Sequence, residues 1–452
     1  EWIRTLCLAI FQYCFDNIIV LLRLNNHLNH MRALSFKFNK STILTLVLLY
    51  LFFLMGFIFD EDTNGGAIMD YMGYRSIIND FILNFNHTLL NFDQYGERHT
   101  PVLIIILSFF YKLNIDEHIV RLISLHLSII SIIYFYKSLL LKFSNTNKNY
   151  LILISATLLL SPTFRSLSIW PDSRIYGLHF FIISTFFYLK FVYVEKKIYF
   201  CYLNIILLAI SSYFSPNFSL FSIFFLYQFY KHFKISGEIL ACIILNLILA
   251  IPAFYYLFIL DVFFLSSGEV PGHDIVNKLG IPIQYNISNK ILIISSIIFF
   301  YLIPFILIKR KLLIYDNTIK LNNILLLVLF FLPIMLTFNY NLNFSGGGIF
   351  LHLSQFLLNN NLLFYLISLF AILITFRLCK YNFNNFFIIV ILFFSNPQLS
   401  IYHKYYDPLI IFLIFTLLNI KLDRTNFNYK SVFIIYVFDI SFLTLNALKK
   451  FI

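Results

Sequence analysis

The chain has 452 residues, of which 60% are hydrophobic and 12% charged, with a formal net charge of +12 and a mean hydropathy of +0.83. Apolar segments recur from end to end, more than one soluble core can hide, which excludes a soluble globular enzyme and indicates an all-α polytopic membrane protein. The positive charge does not call for nucleic acid, because Lys and Arg concentrate in short loops between apolar segments, as the positive-inside rule requires.

In chain order, residues 1–30 precede Met31, where a basic stretch (Arg32, Lys37, Lys40) leads into an apolar run. Residues 1–30 read as an upstream extension, and 31–452 as a single membrane domain. The run at about 42–59 reads as a retained first span that starts in the cytoplasm, so three acids, Asp60, Glu61 and Asp62, emerge on the opposite face.

Residues 60–100 form a long polar loop, followed by a short apolar piece at 101–113 that suits a membrane-surface or re-entrant helix. The next spans read near 119–140, 150–163 and 173–194, and a hairpin near 199–214 and 217–231 turns at "SPNF". A span near 239–265 leads to a second long loop, 266–290. Further spans turn at "KRKLLIYDNTIK", "NYNLNFSGGG", "RLCKYNF", "SNPQLSIYHKYYDP" and "KLDR", and the last covers about 431–448. The pattern suggests roughly twelve spans.

The basic clusters fall on one side of this pattern. The other side collects Asp60, Glu61, Asp62, Arg165, Asp172, Arg174, His273, Asp274, His403, Lys404 and Asp407, charges that break the trend and are therefore candidates for function. No GxGxxG, Walker-type loop or HExxH occurs, and the five cysteines show no CxxC or CxxH spacing, so neither a nucleotide site nor a zinc site is suggested.

An external carboxylate beside cationic side chains is what sugar transfer from a lipid phosphate needs. The carboxylate takes the proton of the attacking hydroxyl, and Arg, Lys or His meets the charge of the departing phosphate. "FDEDTNGG" at 59–66, "ERHTPVLIIILSFFYKLNIDEHIVRLISL" at 97–125 and "LSPTFRSLSIWPDSRIYGLHFFIIS" at 160–184 carry a resemblance in that order, joined by "HKYYDPL" at 403–409. With them the chain resembles the C-type membrane glycosyltransferases, which place an essential acid after the first helix. The match covers about 42–200, an N-terminal module, and extends only in layout to the C-terminal helices at about 236–452.

That resemblance implies a polyprenyl-phosphate sugar donor, a glycan, lipid or protein acceptor, and a multi-pass location in a bacterial inner membrane. It makes Asp60 and Glu61 the catalytic acids. Asp62, Arg98, His99, Arg165, Asp172, Arg174, His403, Lys404 and Tyr405 become substrate-binding candidates, with Arg165, Arg174 and Lys404 on the donor phosphate. No cofactor is required, but the third acid departs from the family pair. Asp60 and Asp62 also read as a D-x-D pattern that would hold a divalent cation, so metal dependence stays open at this point. Two other classes fit the composition: a polysaccharide polymerase or O-antigen ligase, which relies on Arg and His of a late loop, and a lipid or sugar transporter, which needs ionisable groups at bilayer depth.

Overall fold

The computed structural model describes residues 38–63, 66–97, 99–262, 286–308, 321–340, 342, 346–380, 382–396, 400–420 and 427–448. Contacts divide the chain into two units, 1–43 and 44–452. Of the first only 38–43 are described, and they open the first helix. The expectations for residues 1–30, Arg98, His273, Asp274 and most of the 266–290 loop lie outside the described residues.

Among the described residues the fold is all-α, with 18 helices and no strand. Six form the N-terminal part. They are α1 (Lys40–Ile58), α2 (Ala67–Leu83), α3 (Phe85–Leu90), α4 (Val102–Lys112), α5 (Glu117–Lys142) and α6 (Lys148–Ala156). Then come α7 (Pro162–Ile169), α8 (Ser173–Tyr193), α9 (Ile198–Phe214), α10 (Phe221–Phe233) and α11 (Gly237–Phe254). The C-terminal part holds α12 (Ile287–Ile308), α13 (Leu321–Leu336), α14 (Gly348–Leu358), α15 (Leu362–Lys380), α16 (Phe383–Phe394), α17 (Leu409–Phe415) and α18 (Tyr429–Leu448).

Among the described residues seven helices are long and apolar enough to cross a membrane: α1, α5, α8, α11 with its π-helical extension to Ile259, α12, α15 and α18. An eighth crossing follows if the bent pair at 148–160 and 162–169 counts as one. The chain is thus a membrane protein, with fewer full-length spans than the twelve suggested by hydropathy. The difference is one of helix continuity. A tripeptide, Asn359–Asn360–Asn361, with Asn359 at φ +51°, splits one expected span into α14 and α15. The 65° bend at Ser161–Pro162 falls at the expected end of the span near 150–163, because proline cannot donate into a preceding turn, and the chain continues as α7. The remaining apolar segments form shorter helices: α9 has 17 residues, α10 has 13, α13 has 16, α16 has 12 and α17 has 7. The piece expected at 101–113 is a short helix, α4, as its length suggested. The loop expected to run to 290 instead ends where α12 begins, at Ile287, and Lys290 is buried in that helix with its ammonium on the Asn396 carbonyl.

Burial separates the spans by role. α1 and α11 turn most of their surface outward, only 17% and 6% buried, as lipid-facing helices would, whereas α8 and α12 are 72% and 67% buried. α8 packs along both α9 and α5. Small hydroxyls and amides bind these helices to one another: Ser131 Oγ lies 2.6 Å from His179 Nδ1, and Asn204 Nδ2 donates to the Ser184 carbonyl at 3.0 Å.

The helix ends sort the charges. The C-terminal end of α1 meets the N-terminal parts of α5 and α7 through ion pairs, and α2 meets the start of α8 through Asp70 and Arg174. At the other ends, Lys142 of α5 donates to the Thr416 and Leu418 carbonyls at 2.7 and 2.9 Å, closing the C-terminus of α17. A 21-residue α8 is about 30 Å long, the thickness of a hydrocarbon core, so these two ends are where the two membrane faces should lie. Gln94 and Lys148 are exposed on segments belonging to opposite ends. A cysteine at 94 should react with an impermeant maleimide from outside intact cells, and one at 148 only after permeabilisation. The reverse pattern would invert the assigned sidedness.

Candidate functional site

The three acids after α1 do three different things. Asp60 closes α1: Asp60 N donates to Phe57 O at 3.3 Å and Glu61 N to Gly56 O at 2.8 Å, a Schellman-type turn that needs φ > 0 at its centre. That centre is Asp60 at φ +50°, where glycine is usual and an L side chain costs roughly 1–2 kcal/mol. The Asp60 carboxylate is 55% exposed yet lies 2.5 Å from Nη2 of Arg121, a guanidinium buried in the first turns of α5. Arg121 Nε donates to Ile169 O at 3.2 Å, and its guanidinium lies flat on Trp170, 3.4 Å from the ring centroid.

Glu61 turns inward. Arg165, fully buried on α7, donates from Nε to both Glu61 oxygens at 2.7 and 3.0 Å and pairs through Nη2 as well. The remaining donors reach Leu159 O at 3.1 Å and Phe52 O at 3.0 Å, so every face of the guanidinium is met by this chain's own groups. Gly56 makes room: a Cβ there would collide with the Glu61 carboxylate and come within 2.7 Å of Arg165 Nη2. Asp62, also buried, accepts from the backbone N–H groups of Gly66 and Ala67, each at 3.0 Å, and so fixes the start of α2.

A second cluster lies on α2 and α8. Asp172 caps α8 and accepts from Arg174 Nε at 2.8 Å and Nη2 at 2.5 Å. Burial alone would raise Asp172, but the Arg174 guanidinium against it more than reverses this and holds the carboxyl well below the usual carboxylate range. Arg174 Nη2 also reaches Asp70 at 2.8 Å, and Lys404 Nζ reaches the same Asp70 oxygen at 3.1 Å. Tyr405 lies under Arg174, 5.6 Å from its guanidinium carbon. Burial lowers the Lys404 ammonium from its ordinary value, and Arg174 lowers it further. Burial also pushes His99 down to about 4, against an opposing pull from Asp172.

Arg174, Lys404 and Tyr405 line a narrow cavity of about 40 Å³ together with Thr163, Asn217 and Asp407. Asp407 is buried on its inner wall, accepting from Ser161 Oγ at 2.7 Å and Thr163 N at 3.1 Å, and burial raises its carboxyl. His403 does not share this cluster's ion pairs. It packs among Phe300, Tyr301 and Phe442 with Nε2 2.8 Å from the Tyr301 hydroxyl, and burial pushes it down to about 3.

The structure therefore brings Asp172, Arg174, Lys404 and Tyr405 together, with His99 within electrostatic reach, and leaves Asp60 exposed over Arg121. It does not bring Arg165 to Arg174 and Lys404. Glu61 occupies Arg165, so the pair expected to serve as catalytic acid and phosphate ligand is an internal ion pair. Both Asp62 oxygens are turned to α2, away from a shared D-x-D site, and the described residues contain no cluster of three His, Cys, Asp or Glu groups able to hold a metal ion. Sequence reading missed Asp70, where two cations converge, and the roles of Arg121 and Trp170. The signal for Asp70 was present: it is an acid in the first turn of a surface helix eight residues beyond the acidic triplet. Its partners are 104 and 334 residues away and carry no local mark.

Breaking the buried pair in Glu61→Gln should cost about 3–5 kcal/mol, because Arg165 stays charged and buried. Gly56→Ala should destabilise by displacing the same carboxylate. The two changes should be strongly non-additive when unfolding is followed in detergent, whereas additivity would separate Gly56 from the ion pair. His99 supplies a pH signature. Its folded value lies below its ordinary one, so the stability it contributes is present above about 6.5 and lost as pH falls towards 4. His99→Gln should flatten the stability profile in that window, and an unchanged profile would place the imidazole in water.

No protein-family model, curated protein or solved structure matches the chain.

Proposed function

We propose that this chain is an integral-membrane glycosyltransferase that moves a sugar from a polyprenyl-phosphate donor to an acceptor hydroxyl on the external face of a bacterial inner membrane. Asp60 is the general base. The observation that carries this reading is the state of Asp60. Of the three acids it alone keeps an exposed carboxylate, it holds a backbone conformation that aspartate adopts at a cost, and a buried arginine seated on Trp170 orients it. Strain of this kind, stabilised by a surrounding scaffold, is where functional groups concentrate.

In the proposed step the acceptor O–H gives its proton to the Asp60 carboxylate as its oxygen bonds to the anomeric carbon. The bond from that carbon to the phosphate oxygen breaks, and polyprenyl phosphate leaves with the electron pair. Arg174 and Lys404, which share Asp70 across the cavity, are the cations that meet the departing phosphate, with Tyr405 beside them. Arg165 drops out of the donor site and Glu61 becomes the support that fixes the turn. No step is routed through a metal ion. The twelve-segment topology enters the proposal only through sidedness: residues 60–100 face outward.

Membranes incubated with labelled polyprenyl-phosphate sugars test the reading. Asp60→Asn keeps the shape but accepts no proton, so turnover should fall by about 10² or more. Lys404→Gln should raise the apparent KM for donor by about tenfold, the scale of one charge-assisted contact. Equal transfer by wild type and a well-folded Asp60→Asn would remove the proposal. A transporter reading draws on a different observation, Asp439, which is buried on α18 with one carboxylate oxygen lacking a hydrogen-bond partner. Flux in proteoliposomes that Asp439→Asn abolishes and Asp60→Asn spares would favour it.

A further inference from the structure

The end of the molecule opposite Asp60 holds a larger cavity, of about 320 Å³, that the proposed transfer does not use. It opens where the C-terminal ends of α8 and α10 meet the start of α16 and the residues after α17. Its cationic wall is Lys196 and Lys231, with His232 beside them, and its amide wall is Gln228, Asn384 and Asn419. Among the described residues no carboxylate lines it, and the neighbouring Glu195 is paired with Lys197 at 2.6 Å on the outside.

Among the described residues the cations here are met by neutral groups. Lys196 Nζ donates to the Val192 carbonyl at 3.0 Å and sits over Phe191, 4.8 Å from the ring centroid. Lys231 Nζ donates to Asn384 Oδ1 at 3.0 Å, an oxygen that also takes Gln228 Nε2 at 2.9 Å, and lies 4.3 Å from the Tyr227 ring centroid. Lysines at helix C-termini would by themselves be dipole partners or topology signals. The excess lies in the cavity: it is wide enough for a phosphate group, its donors come from separate segments, the turn after α8 and helix α10, and no acid among the described residues balances them. Tyr193 on its lining is about half exposed, and Val194, Tyr230 and Ile235, which adjoin lining residues in sequence, are exposed apolar side chains, the last 91% exposed, as at a membrane surface.

We infer that this cavity is a binding site for a phosphoryl anion at the face opposite the transfer site, and that an anionic phospholipid headgroup supplies it. Lys196 and Lys231 would contact the phosphate oxygens, the amides would hold the headgroup, and the apolar rim would take the first acyl carbons. The inference does not rest on sugar transfer, since no residue of the Asp60 or Asp70 clusters takes part.

Native mass spectrometry of the full chain in detergent, titrated with phosphatidylglycerol, phosphatidylcholine or inorganic phosphate, tests it without reference to activity. Phosphatidylglycerol should bind in preference to phosphatidylcholine, and the Lys196→Gln/Lys231→Gln double variant should weaken it about thirtyfold, the product of two single-lysine contributions at an anionic surface. Lys148→Gln, exposed and outside the cavity, should leave binding unchanged and control for general loss of charge. If inorganic phosphate competes equally with the lipid, the site is one for soluble phosphate and the headgroup assignment falls. Equal retention of both lipids, or of phosphatidylglycerol by wild type and a double variant with an unaltered melting temperature, would overturn the site itself.

Discussion

The ion pair between Arg165 and Glu61 is the contact on which the end of the molecule that follows α1 depends. A guanidinium with almost no exposure has to be neutralised and fully hydrogen-bonded where it lies, and four groups of this chain do so, two carboxylate oxygens and two carbonyls. That requirement fixes where α1 ends. Glu61 must reach α7, so the helix must stop at Ile58 and turn within two residues, and Gly56 must leave room for the carboxylate. With the turn pinned on one side by Glu61 and on the other by Asp62 at the head of α2, the remaining acid has nowhere to point but outward.

The adjacent cluster follows different physics. Arg174 and Asp172 are two residues apart and satisfy one another locally, which a helix N-terminus favours because a carboxylate there also accepts backbone N–H groups. Lys404 arrives from the far end of the sequence with no acid of its own and shares Asp70 with Arg174. Three positive and negative groups thus meet around a single oxygen, an arrangement in which one anion can be exchanged for another without leaving the cations uncompensated. An oxyanion that displaced Asp70 would find two donors already aimed at it.

How much of this could be read from the sequence depends on range. Class, the first span and the acidic turn were legible because apolar runs and charge asymmetry are local and additive. The role of each acid was not, since it is set by Arg121 and Arg165, 61 and 104 residues away. All three acids look alike in sequence, and only the turn decides that one faces solvent. Arg165 was misread for the same reason: an arginine on the expected external face is equally consistent with a ligand site and with a buried support. The span count differs from the full-length helices among the described residues on another ground. A hydropathy window weighs composition, so it joins α14 to α15 across three asparagines.

α8 gives the molecule its polarity. Its N-terminus carries Asp172 and its last turn Lys190, with Lys196 just beyond, so side-chain charges complement the helix dipole at both ends. The same rod is the most buried of the candidate spans and packs on α5 and α9, which prevents it from tilting independently. Arg174 at one end and the cavity at the other are therefore held about 30 Å apart by one rigid element. A ligand at the far cavity would reach the Asp70 cluster chiefly through α8 itself, whose contacts with its neighbours mix aromatic packing with isolated hydroxyl and amide pairs such as Ser131–His179 and Ser184–Asn204. The Asp70 cluster and the far cavity are accordingly joined by packing along α8, and a ligand at either acts first on the groups of its own end.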